Sequence, residues 1–286
     1  MSLPQISFEF FPPKTDGGMD NLLQVAKRLA ELKPQFFSVT FGAAGSAQNN
    51  TENTVFKINT VTKISTAPHM SCIAAEKETI KHLLEKYIQQ GISRLVVLRG
   101  DQPANTTALP NHFRYASELV QFIREETGDH FHIEVACYPE FHPETTDLKR
   151  ALFHFKEKID AGANSAITQY FYNADAYCRF RENCEKMDIR IPITPGIMPI
   201  TNYEKLVAFS NACGAEIPRW LNYRLQSYQD NLAALQTYGE EIVSDLCEKL
   251  LAAGAPGLHF YTLNKAEAST TILRHIGLVM KTAHSR

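Results

Sequence analysis

Residues 6–15, "ISFEFFPPKT", contain a short predicted strand with a single acid inside it. Large apolar side chains surround Glu9, and two consecutive prolines end the strand, because proline has no N–H to donate to a sheet. Burying a carboxyl group is costly unless the group is paired, protonated or used in chemistry. Glu9 is therefore the first residue whose position needs an explanation.

The rest of the chain alternates between strands and helices. Runs rich in β-branched or aromatic residues predict strands at 5–11, 36–42, 67–73, 94–99, 132–138, 165–171, 190–195 and 257–263. Amphipathic helical stretches separate them, and several end in glycine, as at Gly91. This alternation predicts a parallel sheet, and eight repeats favour a single closed (β/α)8 TIM barrel over residues 1–286.

An open, doubly wound sheet is the alternative to the barrel. Such a fold should carry G-x-G-x-x-G after its first strand, and this chain has no such motif. Residues 217–231 are too long for an ordinary loop, and we expect an insertion at the barrel mouth there.

Period-2 alternation along the first strand places Phe8 and Phe10 on one face and Glu9 on the other. We expect the phenylalanines to pack against helices and Glu9 to point into the barrel near its upper mouth. Burial there is expected to raise the pKa of Glu9, which would suit a general acid working near neutral pH. The alternative is a structural glutamate paired with a lysine or an arginine.

Active sites of such barrels lie at the carboxyl ends of the strands. Seven of the eight predicted strand ends carry polar or aromatic groups, namely Glu9, Thr40, His69, Arg99-Gly100-Asp101, Tyr138 with Glu140 and His142, Gln169, and Tyr261 to Lys265. Arg99 can pair with a phosphate or a carboxylate, and Gly100 lets the backbone approach a ligand closely. The residues alone thus predict a barrel enzyme with a buried acid and an anionic or aromatic ligand.

Composition argues against several other classes of protein. The net charge of −2 and the pI near 6.6 give no sign of a nucleic-acid or membrane partner. No run reaches the roughly 18 to 20 apolar residues of a membrane span, and no signal peptide is visible. Six scattered cysteines are expected to be reduced thiols in a cytoplasmic protein. His142 with Glu140 and Glu144 could suggest a metal site, but the other histidines are isolated and we expect none.

The chain resembles the methylenetetrahydrofolate reductases in their short bacterial form. The matching strings, which fall in the order of that family, are "SFEFFPPKT", "SVTFGA", "APHMSCI", "LRGD", "ACYPEFHPE", "DAGANSAITQYFY", "PGIMPITNY" and "HFYTLNKAE". The resemblance implies a barrel that binds FAD without a covalent bond. NADH or NADPH would reduce the flavin, and 5,10-methylenetetrahydrofolate would then take its place and become 5-methyltetrahydrofolate, a methyl source for methionine synthesis.

The same resemblance implies roles for individual residues. Glu9 would protonate folate N10, and Asp101 would tune the flavin and stabilise the developing cation. Gln169 and Phe209 would contact the bound substrate, while Lys205 and Lys265 stand where a glutamine and an arginine are expected for the folate. The implied FAD contacts are Thr40, His69, Leu98, Arg99, Gly100, Asp101, Tyr115, Ala116, Ala136, Tyr138, His142, His154 and Lys158.

Three positions in the FAD region depart from the family pattern. His154, Glu157 and Ala151 stand where asparagine, arginine and aspartate are expected, so the contacts to the FAD phosphates and ribose are left open. The resemblance also implies a homo-oligomer, either a tetramer or a dimer. The rival functions are another flavin-dependent barrel oxidoreductase, such as a proline-dehydrogenase-like enzyme, a non-redox barrel lyase or hydrolase, and a folate-binding protein without catalysis.

Overall fold

The computed structural model describes residues 4–41, 47–72, 76–100, 113–140, 145, 147–228 and 230–279. Its strands are β1 (Gln5–Phe10), β2 (Phe36–Val39), β3 (Thr66–Ser71), β4 (Arg94–Leu98), β5 (His132–Cys137), β6 (Ser165–Thr168), β7 (Ile193–Thr194), β8 (Gly196–Ile197) and β9 (Gly257–Tyr261). Its helices are α1 (Asp16–Ala30), α2 (Ala47–Thr62), α3 (Lys77–Gln89), α4 (Ala116–Thr127), α5 (Leu148–Asp160), α6 (Ala174–Lys186), α7 (Tyr203–Cys213), α8 (Arg219–Gln226), α9 (Leu232–Ala252) and α10 (Glu267–His275). Within these ranges, no helix is long and apolar enough to cross a membrane.

The strands form one parallel sheet in the order β7-β6-β5-β4-β3-β2-β1-β9-β8. The two ends of this order are consecutive in the chain and are separated only by Pro195. The sheet therefore returns to its starting point, which confirms the predicted single closed barrel. All carboxyl ends of the strands consequently lie at one rim, which we call the mouth.

The seventh strand position differs from its prediction. The expected range 190–195 was wrong, because pairing begins at Ile193 and continues past Pro195 to Ile197. Proline cannot donate a hydrogen bond, so Pro195 divides the strand into β7, which pairs with β6, and β8, which pairs with β9. The carbonyl of Pro195 still accepts a hydrogen bond from the amide of His259 at 3.0 Å.

Aromatic packing fixes the orientation of β1. Phe8 and Phe10 are buried in the core between the sheet and the helices, as predicted from their alternation. Their rings contact Phe37 of β2 at centroid distances of 6.2 and 5.3 Å, and Phe8 also contacts Phe260 of β9 at 5.8 Å. These contacts require that Glu9, on the opposite face of β1, points into the barrel.

Local signals place the first helix. Thr15, two residues after the prolines, caps α1 because its hydroxyl oxygen accepts a hydrogen bond from Gly18 N at 3.1 Å.

The glycine expected at the end of α3 is Gly91, which has a φ of 72°, the left-handed conformation that favours glycine.

Two helices fill the segment between β8 and α9. α8 lies within the predicted insertion at 217–231, and its buried Leu221 and Leu225 face the core. Tyr203, the first residue of α7, donates a hydrogen bond to Asn222 Oδ1 at 3.0 Å and so joins the two helices. α7 lies at the mouth, since the hydroxyl groups of its Ser210 and of Tyr170, which follows β6, are 2.9 Å apart.

Gly196 permits close packing inside the barrel. A Cβ at this position would lie 2.2 Å from the carbonyl oxygen of Thr168 and 2.6 Å from the ring of Tyr261. The absence of a side chain lets Tyr261 cross the strand and donate a hydrogen bond to Thr168 O at 2.7 Å. Tyr261 is one of the groups predicted at the strand ends, so Gly196 helps to shape the mouth.

We expect Gly196→Ala to lower the free energy of unfolding by about 1–3 kcal/mol or more, because overpacking displaces rigid backbone. The control is Gly17→Ala in α1, where a Cβ meets no atom within 4 Å. Alanine should be neutral there or stabilising by about 0.5–1 kcal/mol. Urea unfolding measures both, and equal effects at the two positions would show that the barrel accommodates the extra carbon.

Candidate active site

Most of the residues predicted for the site lie at the mouth. They stand in or directly after the last positions of successive parallel strands: Glu9, Thr40, His69, Leu98, Arg99, Gly100, Tyr138, Gln169 and Tyr261. Asp101 and His142 lie outside the described residues. The barrel therefore brings together, from seven strands, groups that are far apart in the sequence.

Glu9 forms the centre of a polar cluster inside the barrel. Its Oε2 lies 3.3 Å from His69 Nε2, 3.5 Å from His259 Nε2 and 3.5 Å from Ser38 Oγ. Both histidines are buried, and they come from β3 and β9. Among the described residues, the charged partners of Glu9 are thus histidines and not the lysine or arginine of the structural alternative.

His259 is the better fixed of the two histidines. Its Nδ1 lies 2.7 Å from Ser7 Oγ, and its ring stacks on Phe36 at a centroid distance of 5.8 Å. His69 Nε2 faces Glu9 Oε2, and within the described atoms this nitrogen has no other partner.

The electrostatics of Glu9 correct the expectation from the sequence. Burial does raise the pKa of this carboxyl, but the charge of His69 and the hydrogen bond from His259 outweigh it and lower the pKa to about 2. The predicted raised pKa was wrong, because the alternation of β1 does not show which distant strands face Glu9. Glu9 is therefore ionised near neutral pH.

His259 and Ser7 were not among the predicted site residues. The sequence does contain a pattern that indicates His259. Alternation in "GLHFY" (257–261) places it on the same face as Tyr261 and opposite Phe260. Ser7 likewise shares the inner face of β1 with Glu9. Combining the inner faces of β1 and β9 required the knowledge that these two strands pair.

Lys158 fits the role expected for a phosphate contact. It is only partly exposed, its Nζ donates a hydrogen bond to the carbonyl of Ala136, and desolvation lowers its pKa to about 8. Within the described ranges, no carboxylate forms an ion pair with it. A partly buried cation without an acid partner there suits an anionic group such as a phosphate.

Two residues that depart from the family pattern interact with each other. His154 Nδ1 lies 2.8 Å from Glu157 Oε2, and the imidazole stacks on Tyr115 at 5.5 Å with an interplanar angle of 19°. The guanidinium of Arg114 lies 5.3 Å from the centroid of the Tyr115 ring. Tyr115 caps α4, which begins at Ala116, so the stack lies between α4 and α5.

The residues expected to contact substrate occupy two sides of the mouth. Gln169 follows β6, and its Oε1 accepts a hydrogen bond from Tyr170 N at 3.0 Å. Phe209 and Lys205 are exposed on α7. Lys265 is exposed on the turn after β9, beside β1.

Asn264 ties the Lys265 turn to the end of β1. Its side-chain amide accepts a hydrogen bond from Phe11 N at 3.0 Å and donates one to Phe11 O at 2.9 Å. Leu263 and Asn264 have φ values of 50° and 57°, a left-handed conformation that is strained for a residue such as leucine. The turn is therefore held in an unusual shape directly beside the strand that carries Glu9.

A second carboxylate, which is buried, lies at the opposite end of the barrel. Glu134 accepts hydrogen bonds from Arg94 and from Ser165 Oγ, the latter at 2.6 Å, and His132 Nε2 lies 3.4 Å from its Oε1. This cluster was not predicted. Its carboxylate is paired with an arginine near the amino ends of the strands, which marks it as part of the scaffold.

The remaining reactive groups form no further cluster of this kind among the described residues. In the part of the chain that the structure describes, no group of three His, Cys, Asp or Glu side chains is placed to hold a metal ion. The six cysteines are free thiols, and four of them are buried.

The pKa of Glu9 predicts how stability depends on pH. The folded value of about 2 lies below the ordinary value of 4.5, so the contribution of Glu9 is complete above about pH 4.5 and is lost as the pH falls toward 2. We expect the excess stability of wild type over Glu9→Gln to shrink between about pH 5 and pH 3, measured by urea unfolding.

The exposed Glu31→Gln controls for the loss of one negative charge. If the excess stability of wild type over Glu9→Gln grew as the pH fell, the pKa of Glu9 would be raised and the histidines would not control it.

Comparison with solved structures supports the fold. An uncharacterized protein from Clostridium thermocellum, described as binding two copies of 5-methyl-5,6,7,8-tetrahydrofolic acid, superposes with a TM-score of 0.61 at 18% identity, over 96% of this chain and 93% of that one. A dihydropteroate synthase from Xanthomonas albilineans gives 0.53 at 10% identity, over 95% and 90% of the two chains. At these identities the likeness concerns the barrel alone.

Comparison of sequences identifies the family. The 5,10-methylenetetrahydrofolate reductase of Buchnera aphidicola from Acyrthosiphon pisum is 40% identical over 274 residues, or 96% of this chain and 92% of that protein. The Escherichia coli K12 protein of the same name is 37% identical over 96% of this chain and 90% of its own length. Methylenetetrahydrofolate reductase (NADH) 1 of Arabidopsis thaliana is 37% identical over 98% of this chain but 49% of its own length. The family model for methylenetetrahydrofolate reductase matches residues 2–277, and the chain belongs to this family.

Proposed function

We propose that this protein reduces 5,10-methylenetetrahydrofolate to 5-methyltetrahydrofolate, with NADH or NADPH as donor and FAD as cofactor. Membership of the family supports the reaction. The observation that carries the assignment of a mechanism is the Glu9 carboxylate, held inside the mouth by His69 and His259. A merely structural acid would be expected to resemble Glu134, which is paired with an arginine.

The FAD site of this proposal spans the mouth from β2 to α5. When bound, FAD would supply the hydride chemistry that links the nicotinamide to the folate. Lys158 would face the pyrophosphate, and Tyr138 would lie against the flavin ring. Glu157 holds His154 against Tyr115, so this pair would contribute an aromatic surface at the distal part of the cofactor. The remaining contacts are proposed for Thr40, His69, Leu98, Arg99, Gly100, Ala116, Ala136 and His142.

Glu9 would transfer the proton that opens the folate ring. A folate bound over the mouth removes water from Glu9, which favours movement of a proton from an imidazole onto the carboxylate. Glu9 then protonates N10, the bond from N10 to the methylene carbon breaks, and an iminium cation is left at N5. This methylene carbon would accept the hydride and become the methyl group. Glu9 is then a carboxylate again, and His259, held by Ser7, would regain its proton from water after the product leaves.

The other proposed residues hold the substrate. Gln169 and Phe209 would contact the nicotinamide and the folate in turn. Lys205 and Lys265, both exposed, would attract the glutamate carboxylates of the folate tail, as single charges without the paired donors of an arginine. Asp101, which lies outside the described residues, would tune the flavin and stabilise the cation.

The cellular setting belongs to the same proposal. A reductase of this kind would supply methyl groups for methionine synthesis, and we place it in the cytoplasm as a homo-oligomer, either a tetramer or a dimer. Free thiols at all six cysteines agree with a reducing compartment.

The visible spectrum of the purified protein tests the cofactor and the reaction together. We expect a yellow protein whose flavin absorption bleaches when NADH is added without oxygen and returns when 5,10-methylenetetrahydrofolate follows. A colourless protein that FAD cannot reconstitute would contradict the proposal. Bleaching without recovery would indicate a different flavin-dependent oxidoreductase, and folate binding without either change would indicate a binding protein.

Glu9→Gln tests the proton donor. The amide keeps the shape but cannot give a proton, so we expect the folate half-reaction to slow by about 10²–10⁴-fold while reduction of the flavin by NADH changes little. Rapid-mixing absorbance measurements separate the two half-reactions.

Glu134→Gln is the matched control for Glu9→Gln, because it changes the same group at the other end of the same barrel. We expect it to lower stability without slowing the folate half-reaction selectively. An equal loss of both half-reactions in Glu9→Gln would make Glu9 a structural residue.

A further inference from the structure

Tyr170 connects two sides of the mouth through one buried hydroxyl. The residue directly follows Gln169, and its backbone amide donates to the Gln169 side chain at 3.0 Å. Its ring is buried, and its hydroxyl lies 2.9 Å from Ser210 Oγ of α7. Cys213 Sγ, one turn further along α7, lies 3.5 Å from the same hydroxyl.

The contact point on α7 is next to Phe209. Ser210 directly follows Phe209, and the two side chains diverge, because Ser210 is buried whereas Phe209 is 45% exposed. α7 has 11 residues, of which Leu206 and Ser210 are buried, so few apolar contacts hold it in place. A polar contact therefore has a large share in fixing where this helix presents Phe209.

A second contact holds the other end of α7 over the same rim. The amide of Glu216, just beyond the helix, donates to Glu140 Oε2 at 2.8 Å, and Glu140 follows β5. Between the strand ends and this end of α7 is a small cleft lined by Tyr138, Gln169 and Gly214, among others. The cleft thus opens beside the glutamine that is expected to contact substrate.

We propose that Tyr170 is a positioning residue that sets the separation between Gln169 and Phe209, and with it the width of the slot for the substrate ring. The inference rests on the proposed function, in which the nicotinamide and the folate occupy this slot in turn. Without the hydroxyl, α7 keeps its sequence and its fold but loses the link that joins Phe209 to the strand of Gln169. A misplacement of this kind weakens binding of both substrates and leaves the cofactor in place.

Tyr172 provides a matched control within the same cluster. Its ring is buried, lies 5.9 Å from that of Tyr170, and its hydroxyl also makes a hydrogen bond. That hydroxyl, however, donates to the carbonyl of Met198 at 3.2 Å, in the segment after β8 and not in α7. Tyr172→Phe and Tyr170→Phe therefore each remove one buried hydroxyl, and only Tyr170→Phe detaches the helix that carries Phe209.

The experiment compares Tyr170→Phe, Ser210→Ala, the double variant and Tyr172→Phe, all with FAD bound. We expect Tyr170→Phe to raise the KM for the folate and for NADH by about threefold to tenfold, the range that corresponds to one net hydrogen bond. Ser210→Ala should act in the same direction and no more strongly. The double variant should match Tyr170→Phe, because both changes remove the same link. Tyr172→Phe should lower thermal stability to a similar extent without changing either KM.

Wild type is assayed first, so that the two proposals fail separately. A wild type that does not reduce the folate defeats the proposed function and the inference with it. If wild type is active, a Tyr170→Phe KM equal to that of Tyr172→Phe overturns the inference alone. The inference would also be overturned if the increases in KM caused by Tyr170→Phe and by Ser210→Ala multiplied in the double variant. The two side chains would then act independently.

Discussion

Closure of the parallel sheet is the constraint on which the site depends. In a parallel sheet every strand ends on the same edge, and once the sheet closes that edge becomes a ring. Here closure runs through a strand that Pro195 interrupts, with β7 paired to one neighbour and β8 to the other. Gly196, beside the proline, leaves the space through which Tyr261 reaches Thr168. The close packing at Gly196 thus occurs where the ring of strand ends is completed.

Two carboxylates inside the barrel show how one scaffold holds the same group in two ways. Near the amino ends of the strands, Glu134 accepts hydrogen bonds from Arg94 and Ser165, and His132 lies 3.4 Å from it. At the mouth, Glu9 has two histidines and a serine as neighbours and, among the described residues, no arginine or lysine. Both arrangements lower the pKa of the carboxyl group. Of the two clusters, the one at the mouth lies beside the proposed substrate site.

The sequence predicted the fold and the direction of Glu9 well, because both follow from local periodicity. Alternation of Phe8, Glu9 and Phe10 was sufficient to place the acid inside the barrel, and the packing of both rings confirms it. The pKa of Glu9 could not be predicted in the same way, since it depends on His69 and His259, which are brought near by the pairing of strands. The predicted bounds of the seventh strand were wrong for a related reason. A proline usually indicates the end of a strand, and the sequence does not show that the residues before and after Pro195 pair with different neighbouring strands. The roles proposed for individual residues at the mouth derive from the family resemblance.

The pairing of β1 with β9 has a consequence for the order of assembly. Glu9 meets His259 across 250 residues of sequence, and the amide of Asn264 joins Phe11 across 253. Contacts between such distant segments form late, because the chain entropy of the intervening loop opposes them until other contacts have shortened it. The first strand to leave the ribosome therefore waits for the last before its acid acquires His259. A chain shortened before β9 would carry Glu9 in an edge strand paired only with β2, and without His259.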